Sequence, residues 1–336
     1  MLRTLIIGLG RAGAGLHLAV LRRLRAGWEW DAVFDPAPVI AVDPRAHGAS
    51  LGKDVLVTAS IAEAAARLDP ARTVVHVCTP PAVRLDLLRE LAGLGFREII
   101  VEKPITTDRA ALAEILNLAD AEELRLAVVA PWLASALTAR LVELVANGGL
   151  GALRSVEIMQ SKPRMGRSLA NDGHPTAFDV EPPHSLGVCL RLAGAARLVD
   201  ARLSDMTIGS TVIPNMGSAE LVLRHEAATS RIVSDLASPV RERRIELDFA
   251  GGHVIGHYPG SADDHYAQLH VAAEGGPASR DVFPDDALTA YMRDTYLGFQ
   301  QGKDFRDELA IGCQVAELIA EAKDLCLTGT EAASVG

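Results

Sequence analysis

Short, largely apolar runs recur through the first 130 positions, at residues 4–7, 39–42, 73–77, 99–101 and 124–130. Each has the length of a buried strand and is too short for a buried helix. Between them, residues 13–26, 60–68, 82–94 and 107–122 carry apolar side chains at the three- and four-residue spacing of a helix face. This alternation predicts a parallel sheet with helices on both faces, since parallel strands need a long crossover between them. Pro80 and Pro104 each lie just after a run. A proline cannot donate to a strand ladder, so both mark strand ends on the carboxyl edge, where open sheets of this kind bind ligands.

A further helical segment at 135–147 runs into Asn147-Gly148-Gly149-Leu150-Gly151, and the pattern then changes. Residues 153–161, 198–208, 218–226, 229–236, 243–250 and 267–273 read as longer strands with polar residues along one face. Short turns such as Ala250-Gly251-Gly252-His253 predict a mostly antiparallel sheet with one open face. Helices at 284–301 and 305–326 complete the pattern. The expected architecture is therefore an α/β domain over 1–130, with a doubly wound parallel sheet, and an α+β domain over 131–336, with an open, mostly antiparallel sheet. A chain of 336 residues fits that division, because one core rarely grows past ~250 residues. An exposed apolar sheet face is a liability, so the second domain is expected to pair with copies of itself as a homodimer or homotetramer.

Composition then narrows the partners. A formal net charge of -10 argues against nucleic acid, whose binding is driven by Lys and Arg replacing counterions. The cluster Arg241-Glu242-Arg243-Arg244 is followed by Glu246 and reads as a solvated surface. Cys78, Cys189, Cys313 and Cys326 form no C-x-x-C pair, which excludes a zinc knuckle and fits a reduced, cytoplasmic setting. The apolar start at 5–9 is too short for a secretion signal, and no run reaches the ~18 apolar residues of a membrane span. The group His253, His257, Tyr258, His265 and Tyr266 fits no zinc template, so no metal is expected.

The first run leads straight into Gly8-Leu9-Gly10-Arg11-Ala12-Gly13, a G-x-G-x-x-G loop between a strand and a helix. The first glycine allows the tight turn, the second lets amides approach a pyrophosphate, and the third lets helix pack on strand. The helix N-terminus adds positive partial charge for the phosphates. An acid ending the next strand would accept hydrogen bonds from the adenosine ribose. Asp35 follows only three apolar residues, whereas Asp43 closes the six-residue run 37–42, so Asp43 is the choice and 28–35 an extra loop. An acid there repels a 2′-phosphate and favours NAD, although Arg45 two positions on leaves NADP open. The expected partner is thus a small polar substrate acted on through NAD or NADP.

With the glycine loop, Cys78-Thr79-Pro80-Pro81 and Glu102-Lys103-Pro104 at two later strand ends resemble the glucose-fructose oxidoreductase, inositol dehydrogenase and rhizopine-catabolism family, Gfo/Idh/MocA. Tyr291 to Ala322, with Phe299-Gln300-Gln301-Gly302 and Phe305-Arg306-Asp307-Glu308-Leu309, is similar to that family's closing segment. The resemblance implies a Rossmann domain in which Cys78, Thr79, Pro80, Glu102 and Lys103 lie beside the nicotinamide. It also implies a cis Lys103–Pro104 peptide, Glu102 as an orienting group, and Trp132 against cofactor or substrate. Independently, only five of the 33 Lys and Arg residues are lysines, so a lysine at a strand end is not background composition. Its ammonium can stabilise negative charge on a substrate oxygen as hydride moves.

The family's acid/base motif is D-x-x-x-H, whose histidine takes the hydroxyl proton. His184 matches the histidine, ahead of an expected helix at 185–192, but Val180 occupies the aspartate position. Asp179 is one residue too early and Glu181 one too late for that spacing, and either carboxylate could hold the imidazole. Arg164, Asn171 and His174 are further substrate contacts by position, while Lys162, Arg164 and Arg167 together read mainly as a solvated loop. The resemblance implies hydride transfer on a sugar, amino sugar, sugar phosphate or cyclitol. The altered spacing leaves imine reduction as an alternative, and some relatives only sense the dinucleotide.

Overall fold

The computed structural model describes residues 1–27, 32–45, 51–170, 174–261 and 264–333. The chain divides into two compact units, Met1–Ala130 with Leu288–Cys313, and Pro131–Ala287 with Gln314–Gly336. The expected boundary at 130 thus lacks one feature, the return of 288–313 to the first unit. Its cause is an apolar anchor: Tyr296 is wholly buried and its ring lies 4.6 Å from that of Phe34.

The first unit is built on a six-stranded sheet in the order β3-β2-β1-β4-β5-β6. The strands are β1 (Arg3–Ile7), β2 (Val39–Val42), β3 (Val55–Thr58), β4 (Thr73–Val77), β5 (Glu98–Val101) and β6 (Arg125–Val128), paired in parallel throughout. Every residue of β2, β4 and β5 is buried, as a sheet covered on both faces requires. Four helices follow strands in the expected way: α1 (Ala19–Ala26), α2 (Ile61–Ala65), α3 (Arg84–Gly93) and α4 (Arg109–Ala121). Ser60 and Asp108 cap α2 and α4 by accepting from backbone amides of the first turn. Residues 13–18, expected as ordinary helix, instead form a wider turn in which the His17 amide donates to Ala12 at 2.9 Å.

The second unit opens with α5 (Ala136–Asn147), β7 (Leu153–Ser161), α6 (Met165–Leu169) and α7 (Pro182–Ala193). The strands β8 (Ala196–Leu203), β9 (Met206–Ile208), β10 (Thr211–Ile213), β11 (Ser218–His225), β12 (Thr229–Asp235), β13 (Glu242–Phe249), β14 (Gly252–His257), β15 (Tyr266–Ala273) and β16 (Ala278–Pro284) follow. Eight of the unit's strands form one sheet, in the order β16-β15-β14-β13-β7-β12-β11-β8. All its pairs are antiparallel except β12 with β7. The expected strand at 198–208 is broken at Ser204-Asp205, and the segment after the Gly251-Gly252 turn, unassigned from sequence, is the inner strand β14. The chain continues into α8 (Ala287–Gln300) and α9 (Arg306–Ala333).

One face of this sheet is core: Val156, Ile158, Leu221, Leu223, Ile232, Ile245, Leu247 and Val254 are buried, and α5 and α7 lie on that side. The other face differs from the apolar surface expected. Glu157, Arg231, Arg244 and Glu246 stand there among Met159 and Val233, with Arg244 3.1 Å from Glu246 and Arg231 2.8 Å from Glu220. Strand alternation gave it a polar lattice, so exposure of apolar area is not what drives any pairing of copies through it. No helix among the described residues is long and apolar enough to cross a membrane.

Candidate functional site

In the first unit the glycine loop lies between β1 and the wide turn. Gly8 has φ +91°, and a Cβ there would stand 2.9 Å from the Cys78 carbonyl oxygen. At Gly13 a Cβ would stand 1.9 Å from the Gly8 carbonyl oxygen, closer than any real contact. Both glycines are therefore demanded by the protein's own packing. Gly10 is not: its φ lies outside the left-handed region and a Cβ would meet nothing within 4 Å. A loop whose middle glycine answers no internal need, placed at the N-terminal end of a helical turn, fits a dinucleotide pyrophosphate approaching the backbone.

Asp43, at the end of β2, is buried and accepts from the Leu9 amide at 2.8 Å and the Arg45 amide at 2.9 Å. Its carboxylate thus shapes both the glycine loop and its own turn, and a carboxylate oxygen retains a second lone pair for a ribose hydroxyl. Arg45 is largely solvent-exposed, with Nε 3.8 Å from Asp43. Beside the loop, Thr79 Oγ1 is buried without a hydrogen-bond partner among the described residues.

The Lys103–Pro104 peptide is cis. Glu102 orients this turn, its Oε2 accepting from the Lys103 amide at 3.1 Å and its Oε1 lying 3.0 Å from His17 Nε2. Burial pushes the Glu102 carboxyl up, but the His17 hydrogen bond and the charges of Lys103 and Arg84 outweigh it and hold the group below its ordinary value. Burial, reinforced by Glu102, raises the Cys78 thiol well above its ordinary value, so Cys78 stays a neutral wall of the loop.

Arg84, not singled out from sequence, holds the whole edge together. Its guanidinium is buried and donates to the Thr79 carbonyl from Nη2 at 2.7 Å and to the Glu102 and Pro104 carbonyls from Nη1. One cation therefore ties the strand end at Thr79 to the turn bearing Lys103. Burial lowers its pKa to about 10, with Glu102 opposing the shift.

In the second unit, α7 starts at Pro182 and presents His184 in its first turn. The His184 ring stacks on Trp132 at 6.0 Å between centroids, and Trp132 stacks on Tyr258 at 4.1 Å. Tyr258 is fixed by a 2.8 Å hydrogen bond with Thr138, and burial raises its hydroxyl pKa. Trp132 is thereby a buried support for the histidine ring. Glu181 is buried beneath the start of α7, ion-paired with Lys162 and accepting from Gln160 Nε2 at 3.2 Å. Gln160 in turn accepts from Ser185 at 2.6 Å.

Asp179 has a different task. It accepts from the Thr176 amide and hydroxyl and pairs with Lys323 at 2.6 Å, closing the turn before α7. The solvated-loop reading is overturned for Lys162 and Arg164: Arg164 is 3% exposed and Lys162 belongs to the Glu181 cluster, while Arg167 is half-buried. Of the other substrate contacts, His174 is half-buried and Asn171 lies outside the described residues. Among the described residues, no group of three His, Cys, Asp or Glu is placed to hold a metal.

Residues 2–130 match the family model GFO_IDH_MocA, described as an oxidoreductase family with an NAD-binding Rossmann fold. Residues 2–130 are thus a Gfo/Idh/MocA Rossmann domain. No curated protein matches the chain. Solved structures share its fold over nearly the full length. An NAD-binding oxidoreductase from Klebsiella pneumoniae has a TM-score of 0.79 at 14% identity, covering 97% of this chain and 96% of the other. A 3-ketoreductase from Actinomadura kijaniata, solved with NADP and TDP-benzene, has a TM-score of 0.76 at 16% identity, covering 97% and 98%. A UDP-N-acetylglucosamine 3-dehydrogenase from Acidithiobacillus ferrooxidans has a TM-score of 0.71 at 19% identity, covering 97% and 96%. The NAD-binding domain is thus joined in this chain to a second unit with the architecture of these solved structures.

Proposed function

We propose that this protein moves a hydride between NAD(P) and a carbinol or ketone carbon of a sugar, with a sugar nucleotide as the favoured substrate class. The observation that carries this reading is the Glu102-Lys103-Pro104 turn, clamped by Arg84 beside a glycine loop whose Gly10 has no internal reason to be glycine. The UDP-N-acetylglucosamine 3-dehydrogenase and the 3-ketoreductase solved with TDP-benzene support the substrate class. Asp43 supports a preference for NAD, since its carboxylate disfavours a 2′-phosphate.

The nicotinamide supplies a carbon that accepts or returns hydride. Lys103 Nζ donates to the substrate oxygen and stabilises the charge that builds as the C–H bond breaks. His184 takes the hydroxyl proton in oxidation and returns it in reduction, its ring held by Trp132. Glu181, ion-paired with Lys162, lies at the base of that helix turn and holds the segment that carries the imidazole.

His184→Ala is expected to lower kcat about 100-fold or more while coenzyme titration is unchanged, as loss of a general base does. Lys103→Ala is expected to lower kcat by a similar ~100-fold. Initial rates of nicotinamide absorbance change over a panel of nucleotide sugars give both numbers. Near-normal turnover of His184→Ala would remove the alcohol chemistry and leave C=N reduction.

We also propose a cytoplasmic homodimer or homotetramer joined through the open sheet. The four cysteines are unpaired thiols, and the Met159 and Val233 side chains amid matched charges give that face both contact area and register. Sedimentation is expected to show a dimer or larger, and a monomer at micromolar concentration would refute the assembly.

A further inference from the structure

Two histidines sit where the core pattern calls for apolar residues. His76 lies in the middle of β4 and His17 in the wide turn after the glycine loop, and both are fully buried. Together with Tyr296 of α8 they form an unbroken chain of hydrogen bonds. Thr4 Oγ1 lies 2.7 Å from Tyr296 OH, Tyr296 OH 2.8 Å from His76 Nε2, His76 Nδ1 2.8 Å from His17 Nδ1, and His17 Nε2 3.0 Å from Glu102 Oε1. Cys78 Sγ stands 3.5 Å from the shared His17 Nδ1.

The chain's ends restrict where its protons sit. An ionised Glu102 can only accept, so His17 Nε2 must carry a hydrogen. A single hydrogen then lies between the two Nδ1 atoms. When His76 supplies it, every bond runs one way, from Thr4 through Tyr296, His76 and His17 to Glu102. When His17 supplies it, His17 is cationic, His76 donates from Nε2 to Tyr296, and Tyr296 donates to Thr4. His76 is neutral in both arrangements, in keeping with its depressed basicity, which burial causes and the neighbouring His17 reinforces. The charged or titratable groups around the pair are Glu102, with Lys103 and Arg84 behind it, Cys78 at the end of β4, and Tyr296 and Tyr291 from α8.

We propose that the Tyr296–His76–His17 chain is a positioning relay that fixes the Glu102 carboxylate, and through it couples the helix behind the glycine loop to the turn that bears Lys103. His17 leaves the same turn that packs Gly13 on Gly8, and Glu102 accepts from the Lys103 amide, so a change at either end is felt at the other. The relay's consequence for turnover rests on the hydride-transfer reading; its protonation pattern does not.

Ring nitrogen-15 NMR of the full-length protein without coenzyme reads that pattern directly. The expected result is a protonated His17 Nε2, with Tyr296→Phe shifting the ring signals of both histidines although His17 is two hydrogen bonds away from the lost hydroxyl. An unprotonated His17 Nε2, or a Tyr296→Phe spectrum with His17 unchanged, overturns the relay. In kinetics, Tyr296→Phe is expected to lower kcat about tenfold by misplacing Lys103, with coenzyme affinity within about threefold of the parent and the pH profile displaced. Parent-like kcat and pH profile in a folded Tyr296→Phe protein overturn the coupling to Lys103. Should Tyr296→Phe fail to fold, Thr4→Val removes only the terminal hydroxyl and is expected to move the same signals less, while no movement counts against the relay. If no substrate gives turnover in the parent protein, the hydride-transfer reading fails and the NMR measurement still decides the relay.

Discussion

Gly13→Ala is expected to cost about 3 kcal/mol of stability or more and to abolish coenzyme binding, whereas Gly10→Ala abolishes binding alone. The difference follows from where the new methyl group goes. At position 13 the Cβ lands 1.9 Å from the Gly8 carbonyl oxygen and 3.3 Å from Ile6 Cγ2, so relief requires β1 and the following turn to separate. That separation also pulls on His17 and the Lys103 turn. At position 10 the methyl meets no protein atom within 4 Å and the backbone is one an alanine adopts freely. Stability is then expected to stay within about 1 kcal/mol of the parent, since such a substitution also restrains the unfolded chain. Thermal melting and coenzyme titration on the same two variants separate the effects. Equal melting temperatures for both would mean that the strand-to-helix packing is softer than the geometry requires, and unaltered coenzyme affinity in Gly10→Ala would remove the pyrophosphate from the loop.

The parallel sheet was legible because strands buried on both faces leave unbroken apolar runs. β3 escaped for the opposite reason: Val55–Thr58 is an edge strand, mostly part-exposed, with no such run. β16 is exposed along almost its whole length, so neither periodicity nor hydrophobicity marks it. β14 was hidden by glycines: Gly252 sits where a Cβ would stand 2.7 Å from the Ala272 carbonyl oxygen, and Gly256 where it would press on Leu137 and Ile245. Close packing demanded those glycines, although in a sequence they read as a turn. The return of α8 to the first unit was equally invisible. An amphipathic pattern says that one face is buried and not against what.

Local geometry was legible where it depends on residues close in sequence: the tight packing of Gly8 and Gly13, Asp43 at the end of β2 and the cis peptide after Lys103. It was not legible where a side chain serves groups far along the chain, as Arg84 serves the Pro104 carbonyl and Lys323 the Asp179 carboxylate. One signal was present and unused. His76 interrupts a run that is otherwise a fully buried strand, and His17 occupies an apolar position of the helix after the glycine loop. Buried polar groups are rarely left without partners, so two such histidines announce each other before the fold is known.

Arg84→Ala is expected to destabilise the protein by about 3 to 5 kcal/mol and to lose coenzyme binding with it, the cost of removing one member of a buried charged network. The guanidinium fills three carbonyls that no other described donor replaces in the hydrogen bonds of this edge: Thr79, Glu102 and Pro104. Its absence leaves those oxygens without the cation and leaves the Glu102 carboxylate facing His17 and Lys103 alone, so the turn loses its tie to the end of β4. Arg84→Lys is not a rescue. An ammonium is a compact charge without the planar fork, and it cannot span carbonyls on two separate strand ends. Lysine is therefore expected to restore part of the stability and little of the coenzyme affinity, because charge compensation for Glu102 returns while the geometry does not. Denaturant unfolding of both variants, followed by coenzyme titration of whatever folds, measures the two parts. A lysine variant that binds coenzyme like the parent would reduce Arg84 to a counter-charge, and an alanine variant that melts within about one degree of the parent would remove it from the architecture of the site.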